Sequence, residues 1–266
     1  SGRLRAVLDD AGKLKTFDAK VVGQSCIHGL TARLMPGSES NLMKDRTTTE
    51  GIFDLPYGVP NRRTAHVLAE EPVQVGFWRS VGHSHHAFFA ESFIDECAIA
   101  AGTDPYKFRR AMLEHAPRYR AVLDAVAEKA GWGKSLPANV GRGIAFAESF
   151  GSVCAQVAEV ELVGQEVRVH RVVCAIDCGF AINPDTVVAQ MESGIIYGLT
   201  AALFGEITIK QGRVQQLNFP DYRMVQLASS PDIEVHLLES GIEHLGGVGE
   251  PGTPPIAPAV CNALYA

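Results

Sequence analysis

Apolar and polar residues alternate over residues 4–9 and 13–24, on either side of Asp10-Ala11-Gly12. A period of two on both sides of a turn predicts a β-hairpin. Residues 29–50 break the pattern; Pro36, Gly37 and clustered serines and threonines predict a long surface loop. Strand signals return over 63–69 and 73–79. Over residues 86–101 the period lengthens, with Phe89, Phe93, Ile94, Cys97 and Ala100 at helical spacing and Gly102 placed to close the helix at C′. Asp104 as N-cap and Pro105 at N1 open a second helix. Pro117 opens a third, which Gly131 ends.

After Gly141 the period returns to two. Residues 144–149, 153–163 and 167–177 predict strands, the last two joined at Gly164-Gln165. Residues 186–203 are apolar nearly all round, which predicts a helix buried between layers. Residues 205–210 and 214–218 flank Gln211-Gly212-Arg213 as another hairpin, 233–238 form the last strand, and 258–266 read as a helix with neither a cap nor a terminating glycine. Strands and helices come in runs without strict alternation, so the expected class is α+β, with mixed sheets and packed helices. The expected division is a first part, 1–140, with helices near 86–130, and a second part, 141–266. No repeat of fixed period is present.

Composition narrows the field. The 266 residues are 46% apolar and 20% charged, with a net charge of −6, ordinary for a globular chain with a sizeable core. No basic stripe accompanies that charge, so nucleic acid is not an implied partner. No apolar run reaches the ~20 residues that span a bilayer. The six cysteines lack paired spacing and read as free thiols rather than a zinc site or a disulfide framework. Ser1-Gly2 leads directly into strand pattern and the last helix stops uncapped, so the chain reads as a piece of a longer polypeptide.

Candidate chemistry concentrates in Gly246-Gly247-Val248-Gly249-Glu250-Pro251-Gly252. Glycines allow close backbone approach to a ligand, and Pro251 pushes Glu250 toward extended backbone. An isolated carboxylate in that frame suits a general base; an ordinary glycine-rich turn with a solvated glutamate is the competing reading. His83 and His85 would share a face if extended and could then chelate a metal, against a hydrogen-bonding loop at a helix start. No nucleophile elbow, P-loop or Gly-x-Gly-x-x-Gly fingerprint occurs, which argues against a serine hydrolase, a nucleotide phosphotransferase and a nicotinamide enzyme.

Four segments occur in register. They are Phe77-Trp78-Arg79-Ser80-Val81-Gly82-His83-Ser84-His85, followed by a helix with Glu91 and Asp95; Asp177-Cys178-Gly179 through Asn183-Pro184-Asp185; Gln190-Met191-Glu192-Ser193-Gly194; and residues 246–252 leading into Thr253-Pro254-Pro255. In this order the chain resembles the molybdenum hydroxylase large subunits of the xanthine oxidase and aldehyde oxidoreductase family, in particular the isoquinoline 1-oxidoreductase beta-subunit branch, over essentially its whole length. The resemblance implies a C-terminal molybdopterin-binding portion of such a subunit. It implies a molybdenum-molybdopterin cofactor, oxidation of an aldehyde or N-heterocyclic carbon with water-derived oxygen, and electron exit through iron–sulfur centres on a partner subunit or domain.

Residue by residue, the resemblance makes Glu250 the base that deprotonates the metal's hydroxide ligand. Arg79 lies on the segment whose backbone passes the metal, or else pairs with a nearby carboxylate. Gln190 bonds the pterin, and Gly247 and Gly249 permit close approach to the metal centre. Asp177, Asn183 and Pro184 are read as architecture. Two glycine-rich loops that hold pterin and phosphate in the family do not occur here, so the upstream part of the same subunit is the expected partner and the isolated chain is expected to be inactive. A periplasmic or membrane-associated location follows by resemblance, with the cytoplasm also open. Two rivals stand beside this reading: a non-catalytic interaction domain that retains the fold, and a metal-binding protein using His83 and His85.

Overall fold

The computed structural model describes residues 1–37, 45–69 and 71–266. Strands β1 (Gly2–Leu8) and β2 (Leu14–Gly23) form the expected antiparallel hairpin, and β3 (Asn61–Leu68) adds parallel to β2. Alternation along β2 buries Leu14, Phe17, Ala19 and Val21, giving one wet and one dry face.

The loop expected over 29–50 is different. A helix, α1 (Cys26–Leu34), occupies its first part, capped by the Ser25 side chain accepting from the His28 N–H at 2.9 Å, and a 3₁₀ turn forms at Arg46–Thr48. The helix carries no buried residue, so no apolar stripe announced it. Residues 38–44 of that span lie outside the described residues. The strand expected at 73–79 is irregular chain. Its carbonyls are met by side chains instead of a ladder: Val73 accepts from Gln24 and Val75 from Arg33.

Helix α2 (Val81–Ala100) begins five residues before the expected start. It ends as expected: Gly102 sits at φ 61, its N–H donates to Ile99 O and the Thr103 N–H to Ala98 O, the paired bonds of a Schellman stop. Helix α3 (Pro105–Ala111) has Asp104 as its cap and Pro105 at N1, and α4 (Pro117–Lys129) closes at Gly131. A buried ionic cluster joins these helices. Arg109, fully buried, donates to Glu91 Oε2 at 2.9 Å and Asp95 Oδ1 at 2.8 Å, and Tyr57 donates to Glu91 Oε1 at 2.6 Å. Burial opposes the Arg109 charge, but Glu91, Tyr57 and Asp95 outweigh it and hold its pKa raised. Glu91 also accepts from the Phe146 N–H, which ties the helices to the second sheet.

That sheet is β4 (Val140–Ser149), β5 (Ser152–Val163), β6 (Glu166–Asp177) and β9 (Asp232–Leu238), in spatial order β4-β5-β6-β9. The first three are antiparallel neighbours, and β9 returns parallel to β6. Between β6 and β9 run α5 (Pro184–Phe204) and the small hairpin of β7 (Ile209–Lys210) and β8 (Arg213–Val214). The last element is α6 (Ile256–Leu264). β4–β6 are buried on both faces over much of their length. One face meets α2–α4 and the first sheet, in a core that takes residues from both sides of position 140; the other meets α5 and α6.

Helix α5 was expected to be buried all round. Only one face is: Val187, Met191, Ile195 and Leu199 pack inward, while Ala189, Glu192, Ser193 and Tyr197 are exposed. All six cysteines are free, four of them buried, with Cys154 Sγ and Cys174 Sγ 3.5 Å apart.

Candidate active site

Residues 246–252 form an extended loop between β9 and α6, pinned at almost every step. The Gly246 N–H donates to Cys178 O at 3.0 Å and the Gly247 N–H to Phe150 O at 2.8 Å. Ser152 Oγ donates to Gly247 O at 2.7 Å, and the buried Gln156 donates to Gly252 O at 2.8 Å. Gly246 is glycine for a steric reason: a Cβ there would overlap Ser152 Oγ and the backbone of Gly151. Gly247 would bring a Cβ to 3.3 Å from Phe150 Cβ, and Gly249 has nothing within 4 Å of where a Cβ would stand. So the loop seats against the β4–β5 turn through Gly246 and Gly247, while Gly249 faces open space.

Glu250 is half-buried at the end of this run. The Ser80 N–H donates to its Oε1 at 3.0 Å, and Ser80 Oγ donates to its backbone carbonyl at 2.7 Å. The neighbouring Arg79 reaches four acceptors: Gly249 O at 2.6 Å, Ser193 Oγ at 3.0 Å, Gln190 Oε1 at 3.0 Å and Gln190 O at 3.4 Å. Arg79 thus ties the glycine loop to the outer face of α5. Of the alternatives raised for its side chain, pairing with a carboxylate is not what it does; its acceptors are two neutral oxygens of α5 side chains and backbone carbonyls. Trp78 lies over Tyr197, with ring centroids 4.9 Å apart, which backs this junction with aromatic surface.

The structure therefore brings Arg79, Gln190, Gly247, Gly249 and Glu250 to one place, from segments up to 170 residues apart. It adds Ser80, Ser193, Ser152 and Gln156, none of them singled out from sequence. Gln156 had a signal, a lone amide within the apolar run 153–158; Ser80 stood beside Arg79. The Asp177–Pro184 segment is architecture, as expected. Asp177 is buried, takes Arg118 at 3.3 Å and accepts from the Gly179 N–H; Asn183 caps α5 by accepting from the Thr186 N–H.

The histidine reading is corrected. His83 and His85 lie on α2, not on an extended segment, and residues two apart on a helix point to different faces. His83 is buried beside Phe150, and His85 stacks on His86. Burial pushes the His86 imidazole down to about 3, so that ring is neutral at physiological pH. Among the described residues no group of three His, Cys, Asp or Glu side chains is placed to hold a metal ion.

A half-buried carboxylate and a glycine loop are braced here by an arginine–amide–serine knot at the outer face of α5. Sequence comparison gives the family. Residues 91–231 match the molybdopterin cofactor-binding domain family, and the chain belongs to that family. The chain is 37% identical over 214 residues to the isoquinoline 1-oxidoreductase subunit beta of Brevundimonas diminuta, covering 78% of this chain and 27% of that protein. It is 30% identical over 220 residues to the membrane-bound aldehyde dehydrogenase (pyrroloquinoline-quinone) of Gluconacetobacter polyoxogenes, covering 74% and 28% respectively. The fold matches quinoline 2-oxidoreductase from Pseudomonas putida with a TM-score of 0.72 at 13% identity, over 99% of this chain and 58% of that one. The chain thus spans about a quarter of the length of the two curated relatives.

The residues present fit such a cofactor on one side. The loop is open at Gly249, where a Cβ would meet nothing within 4 Å outside its chain neighbours. The Gln190 amide oxygen is held by Arg79, which leaves its nitrogen, unpartnered among the described residues, as a donor.

Proposed function

We propose that this chain is the Glu250-bearing part of a molybdopterin-dependent hydroxylase subunit acting on an aldehyde or N-heterocyclic carbon, with Glu250 as its general base. The observation that carries the reading is the Glu250 carboxylate itself. One oxygen is fixed by the Ser80 N–H, the other has no hydrogen-bond partner among the described residues, and the side chain is only half-buried. A molybdenum centre supplies, when bound, activated oxygen derived from water and a sink for two electrons. Glu250 takes up the proton that this chemistry releases, Gln190 offers its amide to the pterin, and Arg79 holds the two in register. Electrons leave toward iron–sulfur centres on a partner subunit or domain, and the rest of the cofactor cradle comes from the upstream part of the same subunit.

The name of the membrane-bound relative supports membrane association of the whole protein. Helix α5 is long and apolar enough to cross a membrane by length and composition, but its buried face packs on the second sheet, the behaviour of a core helix.

The test is Glu250→Gln in the full-length holoenzyme. Loss of a general base costs about 10²–10⁴-fold in turnover, and molybdenum content should stay unchanged. Turnover within a few-fold of wild type at full molybdenum occupancy would remove Glu250 from that role. A non-catalytic domain would instead lack both molybdenum and turnover before any substitution.

A further inference from the structure

Two consecutive residues at the site hold left-handed backbone without being glycine: Ser80 at φ 71 and Val81 at φ 46. For a β-branched residue such as Val81 this is a genuine outlier. Conformations of this kind cost about 1–3 kcal/mol each and persist only where the surroundings over-determine them. The surroundings here do so. The Val81 N–H donates to Trp78 O at 2.8 Å. The next residue, Gly82, is wedged so closely on Thr47 O and Glu50 that a Cβ there would overlap the Thr47 carbonyl. Ser80 is fully buried.

What the kink accomplishes is visible in its bonds. It aims the Ser80 N–H at Glu250 Oε1 and the Ser80 hydroxyl at the Glu250 carbonyl, so a single residue grips both ends of the glutamate. Glu250 Oε2 has no hydrogen-bond partner among the described residues. We propose that Ser80 is the positioning residue of Glu250: its N–H occupies Oε1 and leaves Oε2 as the proton-accepting oxygen, and its hydroxyl, by holding the Glu250 carbonyl, fixes where Oε2 points. The proposal rests on Glu250 being the base. Packing of Gly82 on Thr47 and Glu50 holds the kink, and the kink in turn holds the glutamate.

Ser80→Ala in the holoenzyme isolates the hydroxyl, because alanine has the same left-handed cost as serine and keeps the N–H. Misplacement of a reacting group by about 1 Å can cost on the order of 10²-fold. The expected result is therefore a kcat about 10- to 100-fold lower, with KM changed less than about 3-fold and molybdenum content unchanged. Glycine accepts the left-handed conformation freely, so Ser80→Gly reads the same loss of kcat if the alanine variant fails to fold. Four outcomes overturn the proposal: a kcat near wild type, a kcat that falls only in step with molybdenum content, a rise in KM alone, or an active Glu250→Gln. The last sinks the base assignment as well. An inactive Glu250→Gln beside a fully active Ser80→Ala sinks the role of Ser80 alone.

Discussion

Gln190 and Arg79 show how one side chain's work depends on another's. The guanidinium takes the amide oxygen of Gln190 at 3.0 Å and the carbonyl of Gly249 at 2.6 Å, so the orientation of the amide is set by the same group that holds the glycine loop. Gln190→Ala removes both the pterin donor we assign to it and one of Arg79's acceptors. A buried hydrogen bond left unmade costs ~1–3 kcal/mol, and the loss should fall mainly on cofactor retention. Molybdenum per purified holoenzyme should drop, while turnover per molybdenum atom stays within several-fold of wild type. Full molybdenum with collapsed turnover would contradict a binding role.

At the scale of elements, α6 crosses β4 at unusually short range, and glycine makes that possible. A Cβ on Gly143 would overlap the Ala259 carbonyl and the Ala263 nitrogen, and one on Gly141 would overlap the Ala263 carbonyl. Asn262 anchors the crossing by donating to Ile144 O at 3.1 Å. Because the obstructing atoms are backbone, Gly143→Ala forces a shift of the whole helix. The expected destabilisation is about 1–3 kcal/mol or more, read as a lower midpoint in urea, with turnover falling too because α6 continues directly from the Glu250 loop. Unchanged stability would mean that α6 rides freely on the sheet.

The same elements show what could be read from the chain. The β1–β2 hairpin, β4–β5–β6 and helices α3 and α4 follow from alternation, Asp-Pro and Pro starts, and glycine stops, while the hairpin expected over 205–218 shrinks to two-residue strands about Gln211-Gly212. Those signals are local, and each sits on the element it delimits. α1 escaped because it buries nothing, and the early start of α2 because Ser80 and Val81 adopt backbone that no propensity favours. Glu250 stood out by its glycine frame and Pro251; Arg79 and Gln190 came through motif resemblance, and the geometry joins them. The partners that hold them, Ser80, Ser152, Ser193 and Gln156, are ordinary residues whose role comes only from tertiary proximity. For the three serines the sequence holds no local cue.

The molecule as a whole presents its candidate site as a wall. Glu250, Gly249 and Gln190 stand where α5 turns its polar, exposed face outward, and large apolar side chains nearby in sequence, Ile182, Leu217, Phe219 and Leu227, are between 83% and 96% exposed. A pterin phosphate is ordinarily held by a nest of backbone N–H groups, and the glycine-rich loops expected to build one do not occur in this sequence. The chain by itself should therefore fold, carry no stoichiometric molybdenum and turn over neither aldehyde nor N-heterocycle. Elemental analysis with a turnover assay checks this; one tightly bound molybdenum per chain would show that these residues make the cradle unaided.

The strained turn at Ser80 and Val81 also sets a timetable. Its partners on the glutamate lie 170 residues later, and ribosomes add about 5–20 residues per second. The turn therefore waits roughly 10–30 s in the nascent chain with nothing to grip. During that interval the left-handed backbone has no bond to Glu250 to sustain it. The turn's own braces, Thr47, Glu50 and Trp78, precede it in the chain, so a ribosome-bound chain stopped before residue 246 would carry the means to form the turn and lack the acid it grips.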